Sequence, residues 1–238
     1  MIVPTYNERD TIAEVVARLE RAAGDRVDLL VIDDSSPDGT GAMVRRLRTR
    51  HEFLDLLERP AKGGLGGAYR DGFRTALERG YGAVVEMDAD LSHDPADVPR
   101  LLAALQGAEV ALGSRYVAGG AVVNWSPLRR LLSRGGNRYA RALLGLKVAD
   151  ATSGFRAYDS AWLKSVDLTT VRSEGYAFQV EMVRRARASG ARVREIPITF
   201  TERTRGRSKM SRAIVLEALF RVTRWGLEDR LRGASSRS

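Results

Sequence analysis

The stretch Met87-Asp88-Ala89-Asp90-Leu91-Ser92-His93-Asp94-Pro95 decides how this chain is read. It follows Gly82-Ala83-Val84-Val85-Glu86, a short apolar run of buried-strand type. Two carboxylates spaced i and i+2 thus stand at the carboxyl end of a strand, where open α/β sheets place their ligands. While the backbone stays extended, Asp88 and Asp90 face the same side. Mg²⁺ and Mn²⁺ prefer hard oxygen ligands, and an ion bridging such a pair to a diphosphate is one arrangement that needs this spacing. A solvated Asp-rich turn leading into a helix cap is the alternative, and an isolated Asp-x-Asp does not separate the two.

Upstream, strand, turn and helix alternate. Met1-Ile2-Val3 reads as a short strand stub, with no signal peptide expected ahead of it, and Pro4-Thr5-Tyr6-Asn7-Glu8 turns out of it, with Asn7 placed to cap a helix. Asp28 to Ile32 reads as a second strand, running into the dense turn Asp33 to Thr40 and a helix to about Arg50. Phe53 to Leu57 follows as a third strand, then the glycine loop Lys62 to Gly67 and a helix over Ala68 to Glu78. This alternation predicts a parallel sheet with right-handed crossovers. The glycine loop lacks the dinucleotide and P-loop patterns, which leaves a flexible connection or a backbone cradle near a sugar nucleotide.

Downstream the regularity breaks. Glu109 to Leu112 is a strand closed by Gly113-Ser114-Arg115-Tyr116, and Leu128 to Leu144 reads as a helix. An ordered loop, Asp150 to Tyr158, leads into a strand; Gly175 opens a helix to about Ser189, and Val193 to Phe200 is a last strand. After the basic loop Thr201 to Lys209, a helix runs to about Arg232, ahead of a short tail. The reading is one α/β domain over residues 1–207, a C-terminal amphipathic helix over 208–232 and a tail over 233–238.

Composition excludes several classes. There is no cysteine, and His51 and His93 are the two histidines, so disulfides, thiolate metal sites and histidine-rich sites are absent. No run of about 18 apolar residues offers a membrane span. The net charge of +9 is uneven: residues 1–121 carry 15 basic and 20 acidic side chains, residues 122–238 carry 24 and 10. An anionic ligand or surface is expected at the second half. A nucleic-acid-binding module fits poorly, because the first half is acidic and no recognition signature occurs.

Pro4 to Glu8, Asp33 to Thr40, Asp88 to Pro95 and Gly113 to Tyr116 together resemble the ordered signatures of inverting family 2 glycosyltransferases. Trp125 with Arg129-Arg130 and Ser133-Arg134, Thr152 to Arg156, Gly175 to Met182 and Arg203-x-x-Gly206-x-Ser208-Lys209 are similar to the dolichol-phosphate mannose synthases and their bacterial polyprenol-phosphate counterparts. The resemblance covers about residues 1–212. It implies a GT-A-type, Rossmann-like α/β fold with a mostly parallel sheet flanked by helices. It also implies transfer of mannose from GDP-mannose to a polyprenyl phosphate, with Mg²⁺ or Mn²⁺, at the cytoplasmic face of the cell membrane. The nearest rival keeps the fold and uses UDP-glucose.

By the same resemblance, Pro4, Tyr6 and Glu8 surround the guanine nucleotide, and Ile32 and Asp34 lie along its base and ribose. Asp88, Ala89 and Asp90 form the sugar and metal site, with Asp90 the direct ligand. Many relatives carry Gln where this chain has Ser92, and a hydroxyl reaches less far than an amide, so direct ligation and a bridging water stay as alternatives. Arg115, Arg203 and Lys209 match phosphate-recognising positions, with Asp88, Asp90 and Arg115 as the catalytic set. Arg129 and Ser133, at i and i+4, can converge on the acceptor phosphate. At 100° per residue they share an arc with Arg130, Arg134, Asn137 and Arg141, opposite Leu128, Leu132, Tyr139 and Leu143.

In the C-terminal helix, Ile214, Val215, Ala218, Leu219, Val222 and Trp225 share one side, and Leu216, Phe220 and Leu227 form another apolar flank. One side can dock on the domain and leave the other for lipid or a membrane-protein partner; complete burial is the alternative.

Overall fold

Alternation within single strands builds a core on each face of one sheet. In β2 (Leu29–Asp33), Leu30 and Ile32 point to one side and Leu29 and Val31 to the other, and all four are buried. The computed structural model describes residues 1–203 and 212–235. Its main sheet has the order β3 (Leu54–Glu58), β2, β1 (Ile2–Thr5), β4 (Ala83–Glu86), β7 (Arg156–Asp159), β5 (Val110–Ser114), β8 (Val193–Pro197). Pairing is parallel throughout except at β7, which runs antiparallel between β4 and β5.

Helices α1 (Arg9–Ala23), α2 (Thr40–Arg48) and α4 (Val98–Ala103) lie on the face carrying Val3, Val31, Val85 and Met87. On the opposite face, α3 (Leu65–Glu78), α5 (Pro127–Leu144), α6 (Ser160–Ser165) and α7 (Gly175–Ala188) cover Ile2, Ile32 and Tyr158. Gly72 lets α3 lie close: a Cβ there would sit 2.5 Å from the Ile32 side chain. The last helix, α8 (Arg212–Ser235), packs on α5 and α7. Val222 is buried and Tyr139 Oη hydrogen-bonds Thr223 Oγ1 at 2.7 Å, while Arg184 pairs with Asp229.

Several expectations change. Asn7 does not cap α1; it takes a left-handed conformation (φ 58°) and the helix starts at Arg9. The single strand read over Val193 to Phe200 is two, because the chain leaves β8 at Pro197 and re-enters as β9 (Thr199–Thr201), which pairs with β6 (Ala121–Val123) in a separate two-stranded sheet. The C-terminal helix extends to Ser235, beyond the expected end at Arg232. On its docking side Val222 and Trp225 meet the core, but Leu219 stays exposed. Lys209 lies outside the described residues, as do the side chains of Ile214 and Val215.

Candidate active site

The carboxyl ends of β1, β2 and β4 meet at one edge, and two turns interlock there. Asp33 Oδ1 accepts from Thr5 Oγ1 at 3.0 Å and from Ser36 Oγ at 2.6 Å, which ties β1 to the turn after β2. The free N–H groups at the start of α1 are met by that same turn: Glu8 N donates to Thr40 Oγ1 and Arg9 N to Asp38 Oδ2, at 3.0 and 3.1 Å. Capping here is long-range, which is why a local cap reading misplaced the start of the helix.

Pro4 and Tyr6 are half-buried at this edge, and Lys62 Nζ lies 3.8 Å above the Tyr6 ring. Glu8 accepts from Thr11 Oγ1 at 3.1 Å. Ile32 turns its side chain into the core, so its backbone alone reaches the edge. Asp34 accepts from Gly63 N at 2.9 Å and Gly64 N at 3.0 Å and pairs with Arg59. Gly66 N donates to Glu174 at 2.7 Å. The glycine loop is therefore a backbone cradle, here wrapped around two carboxylates of the protein itself.

Asp88 and Asp90 leave β4 separated by the buried Ala89. Asp88 stands 3.4 Å from Tyr69 Oη and 3.8 Å from His93 Nε2, and Gly154 passes so close that a Cβ would be 3.1 Å from its Oδ2. Burial works to raise the Asp88 carboxyl, but His93 and Arg203 outweigh it and hold it below the usual carboxylate range. Asp90 Oδ2 lies 3.1 Å from Arg203 Nη2, and its Oδ1 accepts from Ser92 N at 3.0 Å. The Ser92 hydroxyl is buried and without a hydrogen-bond partner. Leu91 between them has φ 61°, a strained value for a branched side chain.

Beneath this pair Arg156 is fully buried and donates to the carbonyls of Ala151, Ser153 and Gln179 at 2.7–2.8 Å. Its Nε is 3.6 Å from Glu86, which also accepts from Tyr158 Oη at 3.1 Å. Burial pushes the Glu86 carboxyl up to about 8 against the pull of Arg156, toward its protonated form. Arg156 thereby braces the loop that carries Gly154 against α7.

A second, cationic half lies across an aromatic wall. His93, Phe200 and Trp125 follow one another with ring centroids 5.0 and 5.3 Å apart. Arg129 stacks on Trp125, its Cζ 4.2 Å from the ring centroid, and pairs with Glu202. Arg115 is buried and held bidentately by Asp150 at 2.6 and 2.7 Å, with Thr152 Oγ1 at 2.8 Å. Burial opposes its charge, and the Asp150 carboxylate overcomes that, so its pKa is raised. Ser133 accepts from Tyr116 Oη at 2.6 Å. Tyr176, at the start of α7, feels Arg115, Asp88, Arg129 and Arg203 together, and burial pushes its phenol up.

Two half-sites thus face each other, one of paired carboxylates and one of cations. The family model described as Glycosyl transferase family 2 matches residues 1–167. The chain belongs to that family. Curated relatives include an undecaprenyl-phosphate mannosyltransferase of Micrococcus luteus, 48% identical over 99% of this chain and 97% of the relative. A polyprenol monophosphomannose synthase of Mycolicibacterium smegmatis is 48% identical over 97% of this chain and 88% of its own length. A dolichol-phosphate mannosyltransferase of Pyrococcus furiosus is 34% identical, and this chain spans 65% of it. Among solved structures, glucosyl-3-phosphoglycerate synthase from Mycobacterium tuberculosis, in a complex with phosphoglyceric acid, shares the fold, with a TM-score of 0.66 at 20% identity over 96% of this chain and 78% of that one. Another crystal structure of that synthase is a complex with Mn²⁺, uridine diphosphate and glucosyl-3-phosphoglycerate.

Within this family 2 glycosyltransferase, the carboxylate half fits a divalent ion. Among the described residues no three acidic or histidine side chains converge as a metal cluster. Mg²⁺ is commonly held by one or two carboxylates with substrate phosphates completing the shell, and Asp88 with Asp90 supplies that number. Asp90 is itself buried, and its Oδ2 already faces a cation, Arg203.

Sequence reading missed Asp150, Glu202 and Tyr176. The first two are among only ten acidic residues in the basic half, and that scarcity is the signal that could have found them.

Proposed function

We propose that this chain transfers mannose from GDP-mannose to a polyprenyl monophosphate with inversion, giving a polyprenyl-phosphate β-mannose. The observation that carries the reading is the pair of consecutive residues Glu202 and Arg203, one bound to the cationic half at Arg129 and the other to the carboxylate half at Asp90. The mannose chemistry in the names of relatives at 48% identity supports it over UDP-glucose.

A divalent ion, Mg²⁺ or Mn²⁺, held by Asp90 with Asp88, supplies charge neutralisation to the diphosphate leaving group when bound. The rest is the work of the chain. Tyr6, Glu8 and Pro4 border the nucleotide, and Arg203, released from Asp90, turns to the diphosphate with Lys209. The acceptor phosphate is largely dianionic near pH 7, because its second pKa is about 6, so no general base is required. Arg129 exchanges Glu202 for that phosphate, and Ser133 and the remaining edge of Arg115 complete its cradle. Asp150 keeps Arg115 fixed, so its charge is oriented before the substrate arrives. The phosphate oxygen then attacks the anomeric carbon from the face opposite the leaving diphosphate.

The reaction is assigned to the cytoplasmic face of the cell membrane, with the protein peripheral or held by a membrane-protein partner. No helix among the described residues is long and apolar enough to cross a membrane. Leu128, Leu131 and Leu132 on α5 are about two-thirds exposed (65, 68 and 67%), as are Leu216, Phe220 and Leu231 on α8. These side chains offer an apolar surface for the lipid side. The donor assignment is tested by supplying radiolabelled GDP-mannose or UDP-glucose with polyprenyl phosphate: label enters lipid from the first, and preferential transfer from the second would overturn it.

A further inference from the structure

One cavity of the described structure lies outside the cleft between Asp90 and Arg129. It holds about 600 Å³ between α5 and the turn at Tyr116, a size typical of small-ligand sites. Arg134, Arg138 and Arg141 line it with Asn137, Tyr116 and Leu146. The three arginines stand at i, i+4 and i+7, a single stripe of one helix.

We propose that this cavity is a second anion site, one that takes a phosphate ester and is separate from the donor and acceptor phosphates. Among the described residues, none of the three arginines has a carboxylate partner. Some arginines elsewhere do meet acids, as in Arg59 with Asp71, Arg184 with Asp229, Arg185 with Glu181 and Arg224 with Glu228. Like charges four apart on a helix repel, and an anion lying between them removes that cost.

The carboxylates near the cavity are already engaged. Glu195 accepts from Ala149 N at 2.6 Å and Asp150 N at 3.0 Å, and Asp150 holds Arg115. Asn137 is buried, with its Nδ2 donating to Ser133 O and Thr152 Oγ1 and its Oδ1 without a partner. Tyr116 lines the cavity and also meets the Arg115 half: Arg134 Cζ and Arg115 Cζ lie 5.7 and 5.3 Å from its ring centroid. Leu146 makes part of the lining apolar, which suits an ester with a carbon skeleton over a bare inorganic ion. Such an ester is either a free polyol phosphate or the headgroup of an anionic phospholipid.

The test uses the full chain with no sugar nucleotide and no polyprenyl phosphate, so its failure leaves the transferase reading intact. Calorimetric titration with sn-glycerol 1-phosphate probes the free ester. Sedimentation with phosphatidylglycerol vesicles, against phosphatidylcholine vesicles, probes the headgroup. The wild type is expected to bind one of these probes at physiological ionic strength, and Arg138→Gln with Arg141→Gln is expected to weaken that binding at least tenfold. Both arginines are exposed and unpaired, so the melting temperature stays put. A charge-matched control, Arg50→Gln with Arg194→Gln, is expected to keep wild-type binding. Failure of the wild type to bind either probe overturns the proposal, and so does an equal loss in the control or undiminished binding by the cavity variant.

Discussion

Arg203 Nη2 lies 3.1 Å from Asp90 Oδ2, so a guanidinium from the end of β9 rests against the carboxylate proposed to hold the metal. The segment is anchored on both sides, since Thr201 N donates to Ser92 O and Glu202 N to Val123 O, each at 3.1 Å. Removing Arg203 takes away a diphosphate ligand and leaves the carboxylate pair in place. Arg203→Ala is expected to weaken GDP binding in the presence of Mg²⁺ by about tenfold or more, the worth of one charge-assisted contact. Calorimetry with GDP measures this; unchanged affinity would remove Arg203 from the donor site.

Glu202 and Arg129 give the opposite sign. Glu202→Gln frees Arg129 from its carboxylate partner, so the KM for polyprenyl phosphate is expected to fall by a few-fold while that for GDP-mannose holds. Arg129→Ala is expected to raise the acceptor KM and leave the donor term nearly unchanged. Steady-state kinetics with each substrate varied in turn separates the two, and a defect confined to the donor term contradicts the assignment.

The buried pair of Arg115 with Asp150 is a matter of stability as well as catalysis. Asp150→Asn leaves the guanidinium buried and uncompensated, at a cost of about 3–5 kcal/mol. Urea unfolding is expected to show that loss, whereas Glu86→Gln, which replaces an acid that burial pushes toward its protonated form, is expected to stay within about 1 kcal/mol of wild type. A severe loss from Glu86→Gln would mean that Glu86 is charged.

Much of this was legible in the chain. The strands and helices through Glu86 follow from periodicity because the spacing of apolar residues within each element sets its buried face. The Asp-x-Asp was readable because its spacing and its place after a buried run fix the chemistry. What stayed hidden depends on contacts far apart in sequence. Thr40 and Asp38 cap α1 from about 30 residues away. Pro197 hands β9 to a different sheet, and no periodicity marks that switch. Leu128 and Leu132 were expected on the face opposite the arginines, and nothing in their spacing says that this face stays uncovered; the structure leaves them exposed.

That exposed apolar surface makes a separate prediction. Leu131→Gln with Phe220→Gln is expected to reduce flotation with anionic liposomes several-fold and to impair use of long polyprenyl phosphates, while a short water-soluble acceptor phosphate is used as before. Equal flotation of variant and wild type would assign these side chains to a protein partner.

Asp90 is proposed to anchor the transfer of mannose to a lipid phosphate. The direct measurement is incubation of the protein with radiolabelled GDP-mannose, polyprenyl phosphate and Mg²⁺ or Mn²⁺, followed by counting label in the organic phase. Metal-dependent label in lipid is expected for the wild type, and none above background for Asp90→Ala at saturating metal. Near-normal labelling by Asp90→Ala, or none by the wild type, would contradict it.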